Sequence, residues 1–343
     1  MRLRISENNR LTILLATVAA GASLFAPPPA LAMHISEGIL PFSWAALWYA
    51  VALPFVAWGL RDIRHRSEDA PSFKPFVGLV GAAVFLISCM PIPIPTAGTC
   101  SHPAGTGLAA ILIGPGLTVV VASIALTLQA LFLAHGGLTT LGANILSMGV
   151  AGAYAGYAAY LIGRRLGLPW AGAAFLAGLF SDWATYAMTS VELAAALHGS
   201  GPFSAMLSLI LLAFVPTQLP LGILEGFLSA GALAFIRSRK PELLGMAAGG
   251  TAPGKAGLAM ILAILLIAAP APVRAASWPG VDEAVIEKVA EKAGRPSREP
   301  LLNTDQGDLL LFVFLLAGIG GGFVAGYNFR TLFPPRRRKD NYV

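Results

Sequence analysis

The sequence predicts an all-α, polytopic membrane protein: a bundle of seven membrane-spanning helices followed by two more. Three observations carry this. Hydrophobic residues make up 56% of the chain and charged residues 12%, with a mean hydropathy of +0.72; a soluble domain carries about 25% charged residues. The apolar residues gather in runs long enough to cross a bilayer. Arg and Lys sit in short blocks between those runs, as cytoplasmic loops require. The net charge of +6 therefore needs no nucleic-acid partner. Two cysteines, Cys89 and Cys100, are too few for a disulfide framework.

The first 32 residues read as a secretory signal peptide. Arg2, Arg4 and Arg10 precede an apolar run from Leu11 to Leu24, and Ala30 and Ala32 form a small-x-small cleavage site. The mature chain is expected to begin at Met33.

Segment one, about Ser43 to Leu60, ends at Arg61, Arg64, His65 and Arg66, which read as an inner loop. Segment two, about Phe76 to Met90, returns outward to a rigid stretch, Pro91 to Pro103, where proline and glycine prevent a regular helix. Segment three, about Ala104 to Ile113, is too short to span unaided. Segment four runs from about Leu117 to Leu133. Segment five follows a His135–Asn144 turn and reaches about Ile162, before Arg164 and Arg165. Segments six and seven cover about Ala171–Leu197 and Ser204–Ile236. Seven crossings leave the mature amino terminus outside. Gly152 and Gly156 in segment five are spaced for close helix approach, either within the subunit or with a partner helix.

A linker, residues 241–257, separates a second module, residues 258–343. It has an apolar segment from about Leu258 to Ala271 and a polar extracytoplasmic stretch, 277–308. Val281, Val285 and Val289 on one face there, with Glu283, Glu287 and Glu291 on another, suggest an amphipathic helix. A last span, about Leu309 to Ala325, precedes Arg336-Arg337-Arg338-Lys339, a cytoplasmic tail rather than a nucleic-acid arm. The chain is thus expected in the plasma membrane among lipid, carboxyl terminus inside.

Cleavage before Met33 would place a free amine beside His34. The amine and the deprotonated His34 amide close a five-membered chelate ring, and the amide and imidazole close a six-membered one. Three in-plane nitrogens suit nickel and copper, with cobalt also accommodated. The amine's ordinary pKa of about 8 makes its deprotonation cheap. The bland alternative is an ordinary histidine beside a cleavage site. His102, in the proline-bounded loop, is the candidate for a fourth corner. It lies 68 positions from His34, a separation that costs little in loop entropy. Cys100 is a softer competing ligand. His135 and Asn144 flank a tight turn and are assigned to orienting other groups. His65 reads as solvated and His198 as incidental. Asp182, Glu192 and Glu225 lie inside spans and are functional suspects on that ground; structural hydrogen bonding is the preferred reading for all three.

Met33-His34-Ile35-Ser36-Glu37-Gly38-Ile39-Leu40-Pro41 resembles the mature start of the CbiM/NikM family, the substrate-specific membrane subunits of energy-coupling factor transporters for cobalt and nickel. Gly98 to Pro103, Leu131 to Asn144, Asp182 to Leu193, and Thr217-Gln218-Leu219-Pro220 with Glu225-Gly226 match in order. The resemblance implies a metal site of the Met33 amine, the His34 amide and imidazole, and the His102 imidazole. Cys100, Ser101, His135 and Asn144 would support it, and the loop before Asn144 would brace it from above. It implies Co2+ or Ni2+ as cargo, no resident cofactor, one transmembrane coupling subunit and two ATPase subunits. No Walker A motif is present, so the chain is not expected to be an enzyme. The tail resembles the small two-span companion subunit, with Trp278-Pro279-Gly280-Val281-Asp282 in a PDGLE-like position. A metal sensor or scaffold without transport is the alternative from another class. A proton-driven carrier would want internal repeats, which the sequence lacks.

Overall fold

Apolar length decides the architecture. The structure, a computed structural model, describes residues 34–69, 72–90, 92–94, 99–247, 286, 289–304 and 308–332. Met33, the leader and the segment 258–271 lie outside them. The described chain is a helical bundle with one small hairpin. Helices α1 (Phe42–Asp69) and α2 (Phe73–Ser88) lead to strands β1 (Ile92–Ile94) and β2 (Thr99–Ser101). There follow α3 (Thr106–Ile113), α4 (Pro115–Phe132), α5 (Leu141–Asn144), a π-helical stretch (Ile145–Gly152) and α6 (Ala153–Arg165). Then come α7 (Trp170–Leu197), α8 (Phe203–Arg239), α9 (Pro241–Ala247) and α10 (Asp308–Leu332).

Among the described residues, five helical stretches are long and apolar enough to cross a membrane: Phe42–Glu68, Pro115–Phe132, Leu141–Arg165, Phe203–Arg239 and Phe312–Leu332. Their outward faces carry large apolar side chains, Leu53, Ile124, Phe227 and Phe323 among them, as lipid contact requires. α7 matches them in length at 28 residues but carries Asp182 and Glu192 inside the bundle.

One expectation is corrected. The basic run after Leu60 is helix, not loop: α1 continues to Asp69. Arg66 is drawn back onto the protein, donating to the Ile113 carbonyl (2.7 Å) and pairing with Asp62 one turn away (3.4 Å). The proline-rich stretch forms no helix, as expected: its residues 92–94 and 99–101 pair as antiparallel strands, with Ile92 opposite Ser101 and Ile94 opposite Thr99. Proline at position 93 is tolerated because a two-stranded ladder has only edges.

The short third segment is α3, eight residues, almost entirely buried. It sits where α6 and α7 cross. A Cβ at Gly156 would lie 2.8 Å from the Ala177 carbonyl, and Gly152 faces Thr185 and Thr106. These two glycines therefore serve internal packing. α8 packs along α7, and α10 packs on α2, with Gly321 against Leu86 and Gly78 against Asn328. Between α2, α4 and α10 lies an apolar cavity of about 660 Å³.

The chain after residue 286 returns to the amino-terminal end. Ile286, Val289 and Ala290 bury themselves with Ile35, Ile39 and Leu40. Val289 is buried and Glu291 exposed; Val281, Glu283, Val285 and Glu287, the other positions of the expected amphipathic helix, lie outside the described residues. Arg295 donates to the carbonyls of Gly38 (3.1 Å), Ile39 (3.3 Å) and Leu40 (3.0 Å), and the Arg298 amide donates to Glu37 (2.8 Å).

Candidate metal centre

The residues after Met33 are held by the loop between α4 and α5. Asn144, closing α5, reads both sides of residue 35: its Oδ1 accepts from the Ile35 amide (2.9 Å) and its Nδ2 donates to the Ile35 carbonyl (3.2 Å). Thr140 donates to the same carbonyl (2.5 Å). Glu37 accepts from the Thr139 amide (3.1 Å) and from its hydroxyl, which in turn accepts from the Gly38 amide (3.3 Å). Gly137 is glycine because a Cβ there would lie 2.6 Å from Glu37 Cα. Asn144 thus orients the segment beside His34, the role its turn position suggests.

Three imidazoles converge beneath this brace. The His34 and His102 rings are 5.7 Å apart between centroids, and His135 lies 4.7 Å from each. Chain separation is no barrier here: the bundle folds positions 34, 102 and 135 onto one point. Ala134 takes a left-handed turn (φ +50°) and returns the His135 amide to the Gln129 carbonyl (3.3 Å). His135 Nε2 then lies 2.8 Å from His102 Nε2, one donating to the other.

His34 Nε2 is 3.0 Å from Gln129 Oε1. A side-chain carbonyl oxygen can only accept, so the proton belongs on Nε2. Nδ1 keeps its lone pair, and Nδ1 is the nitrogen that closes a six-membered ring with the residue's own amide. Gln129 is itself fixed by donating to Ser88 Oγ (2.8 Å). A hydrogen bond of this kind fixes tautomer and ring orientation wherever a histidine binds a metal through its other nitrogen.

Burial lowers the pKa of all three rings. His34 falls from 6.5 to about 4, the Gln129 hydrogen bond opposing the shift in part. His102 and His135 fall well below the ordinary value, first from burial and then from positive charge on neighbouring rings. All three are neutral at pH 7, the form a metal needs.

The remaining candidates separate. Ser101 turns away from the imidazoles, its hydroxyl 3.4 Å from Tyr186 OH and accepting from Gln218 Nε2 (3.3 Å). Cys100 pairs through its backbone with Pro93 in the hairpin, and its side chain lies outside the described residues. Glu225 hydrogen-bonds the backbone, accepting from the amides of Ala104 and Gly105 (both 2.9 Å). Asp182 packs beside Gly222. Glu192 departs from the structural-bond expectation: both its oxygens are buried without a hydrogen-bond partner among the described residues. The sequence reading missed Gln129, and it named the loop before Asn144 without singling out Thr139 and Thr140. The available signal for Gln129 was a lone amide in an 18-residue helix whose other polar side chains are hydroxyls.

A family profile described as "Cobalt uptake substrate-specific transmembrane region", CbiM, matches residues 34–243. A curated relative from Geobacter sulfurreducens named "Cobalt transport protein CbiM" is 55% identical over 97% of this chain and 99% of its own. The chain belongs to the CbiM family. Another CbiM, from Sorangium cellulosum, is 61% identical over 62% of this chain and 94% of its own. The fold is shared with a crystal structure described as a truncated transition metal transporter. That match has TM-score 0.52 and 23% identity, and covers 60% of this chain and 99% of the other. The family match spans the whole imidazole centre and its brace. It ends before Arg295 and Arg298, which lie over residues 37–40.

Proposed function

We propose that this chain is the metal-capturing membrane subunit of an importer for divalent cobalt or nickel. The convergence of His34, His102 and His135 under one brace is the observation that carries the reading. The cargo ion would be held by the Met33 amine, the deprotonated His34 amide, His34 Nδ1 and the His102 imidazole. His135 and Gln129 would orient the rings. The names of the CbiM relatives support cobalt as cargo, whereas a planar nitrogen set by itself favours nickel over cobalt.

Capture takes place at the outer surface. The ion sheds water and displaces protons from the amine and amide, while the neutral imidazoles bind without proton release. A separate transmembrane coupling subunit and two ATPase subunits then drive the subunit to tilt and empty inward. Residues 33–240 form the metal-binding domain, 241–257 a linker, and 258–343 a fused companion module. Contact of Arg295 and Arg298 with residues 37–40 supports a role for that module in shaping the metal loop. The protein sits in the plasma membrane, mature amino terminus outside.

The test is metal accumulation by cells carrying His34→Ala. Uptake falls to background if His34 anchors the chelate; near-normal uptake ends the proposal.

A further inference from the structure

The fourth corner of this site depends on a helix that contributes no ligand. We infer that Gln218 and Glu225 of α8 are positioning residues for the His102 imidazole, holding its loop on both sides so that His102 moves with α8. This deepens the metal-capture reading and rests on it.

His102 and Pro103 have no regular structure of their own between β2 and α3. One face of α8 grips both flanks of this pair. Before it, Gln218 Nε2 donates to Ser101 Oγ (3.3 Å). After it, Glu225 Oε2 accepts from the Ala104 amide and Oε1 from the Gly105 amide, each at 2.9 Å. Seven residues separate Gln218 from Glu225, two helical turns or about 10 Å along one face. Gln218, Ser101 and Glu225 are all buried, so water does not compete for these contacts.

The Glu225 contact is chemically specific. The Ala104 and Gly105 amides stand just ahead of the first turn of α3 and have no carbonyl of that helix to donate to. A carboxylate offers one oxygen to each. An amide side chain offers one acceptor only, and an alanine none. Glu225 also sits on the helix that packs along α7 and continues 14 residues further, to Arg239. Tilting α8 therefore moves both flanks of His102. The His34 side of the centre is fixed elsewhere, through Gln129 on α4 and Asn144 on α5. The His34 side and the flanks of His102 are thus held by different helices, with the His102–His135 contact (2.8 Å) between them, and relative motion would open the ion's coordination.

The test uses the full mature chain in detergent, titrated with nickel(II) and followed by ligand-field absorption. Glu225→Ala is expected to weaken nickel binding by about 10- to 100-fold. Its absorption should shift toward that of His102→Ala, because both leave three nitrogens. Glu225→Gln, keeping one acceptor, should fall between Glu225→Ala and the parent. An unchanged spectrum and affinity in Glu225→Ala, with both altered in His102→Ala, overturns the positioning role and leaves the metal site standing. An unchanged spectrum in His102→Ala itself sinks the four-nitrogen reading. If Glu225→Ala loses its cooperative melting transition, Gln218→Ala decides. A shifted nickel spectrum supports the grip, and a lower melting temperature with an unshifted spectrum refutes it.

Discussion

Replacing Gln129 with leucine should weaken metal binding without unfolding the bundle. The change nearly conserves volume in a fully buried position of α4. It removes the acceptor for His34 Nε2 (3.0 Å) and the donor to Ser88 (2.8 Å). A buried N–H without an acceptor costs about 1–3 kcal/mol. The ring can avoid that penalty by moving its proton to Nδ1, the nitrogen needed for chelation. Either way the ion loses affinity, by about 10- to 100-fold, or about 1.4–2.7 kcal/mol. Calorimetric titration of nickel or cobalt into the mature chain measures it. Gln129→Glu, which restores an acceptor, should recover part of the loss. Ser88→Ala, which removes only Gln129's own anchor, should cost less than Gln129→Leu. Binding by Gln129→Leu within about twofold of the parent would refute the tautomer argument, since a tenfold loss is its lower bound.

Two further outcomes follow from the same centre. Stability without metal should fall with acid. The folded His34 resists protonation until about pH 4, while the unfolded chain takes up a proton from about pH 6.5. The unfolded state binds more protons in that window, so the contribution is complete above it and disappears as pH drops through it. His34 alone accounts for about 3 kcal/mol, and melting temperatures measured across the window should decline; a flat profile would contradict the buried neutral rings. Gly137→Ala should loosen the brace, because its Cβ would meet the Glu37 backbone at 2.6–2.7 Å. The overlap should cost about 1–3 kcal/mol, read as a lower melting temperature together with weaker nickel binding. Unchanged values for both would show that residues 37 and 137 do not pack as described.

The sequence made the spans legible because lipid exposure demands long apolar runs, and segments two to seven end within a few residues of their helices. His34 stood out because it follows the small-x-small cleavage site, and His102 because it lies in the proline-bounded loop. What stayed hidden depends on tertiary partners. The extension of α1 was disguised by its arginines, which read as loop until Arg66 finds the Ile113 carbonyl. The hairpin has three-residue strands, too short for any alternation to register. Glu225 was marked as a buried acid, yet only the fold reveals which amides it binds. Arg295 lay in a polar stretch with nothing to distinguish it from a solvated charge, and its three carbonyl partners are more than 250 positions away.

The central claim is that trimming of the leader creates the chelator. The most direct measurement is nickel titration, followed by ligand-field absorption, of two matched preparations: one beginning at Met33, the other retaining Ala32. The extra residue converts the Met33 amine into an amide and leaves the imidazole cluster intact. The account predicts a planar-nitrogen absorption band and tight binding only for the chain that begins at Met33. An equal band and equal affinity in the chain retaining Ala32 would contradict it.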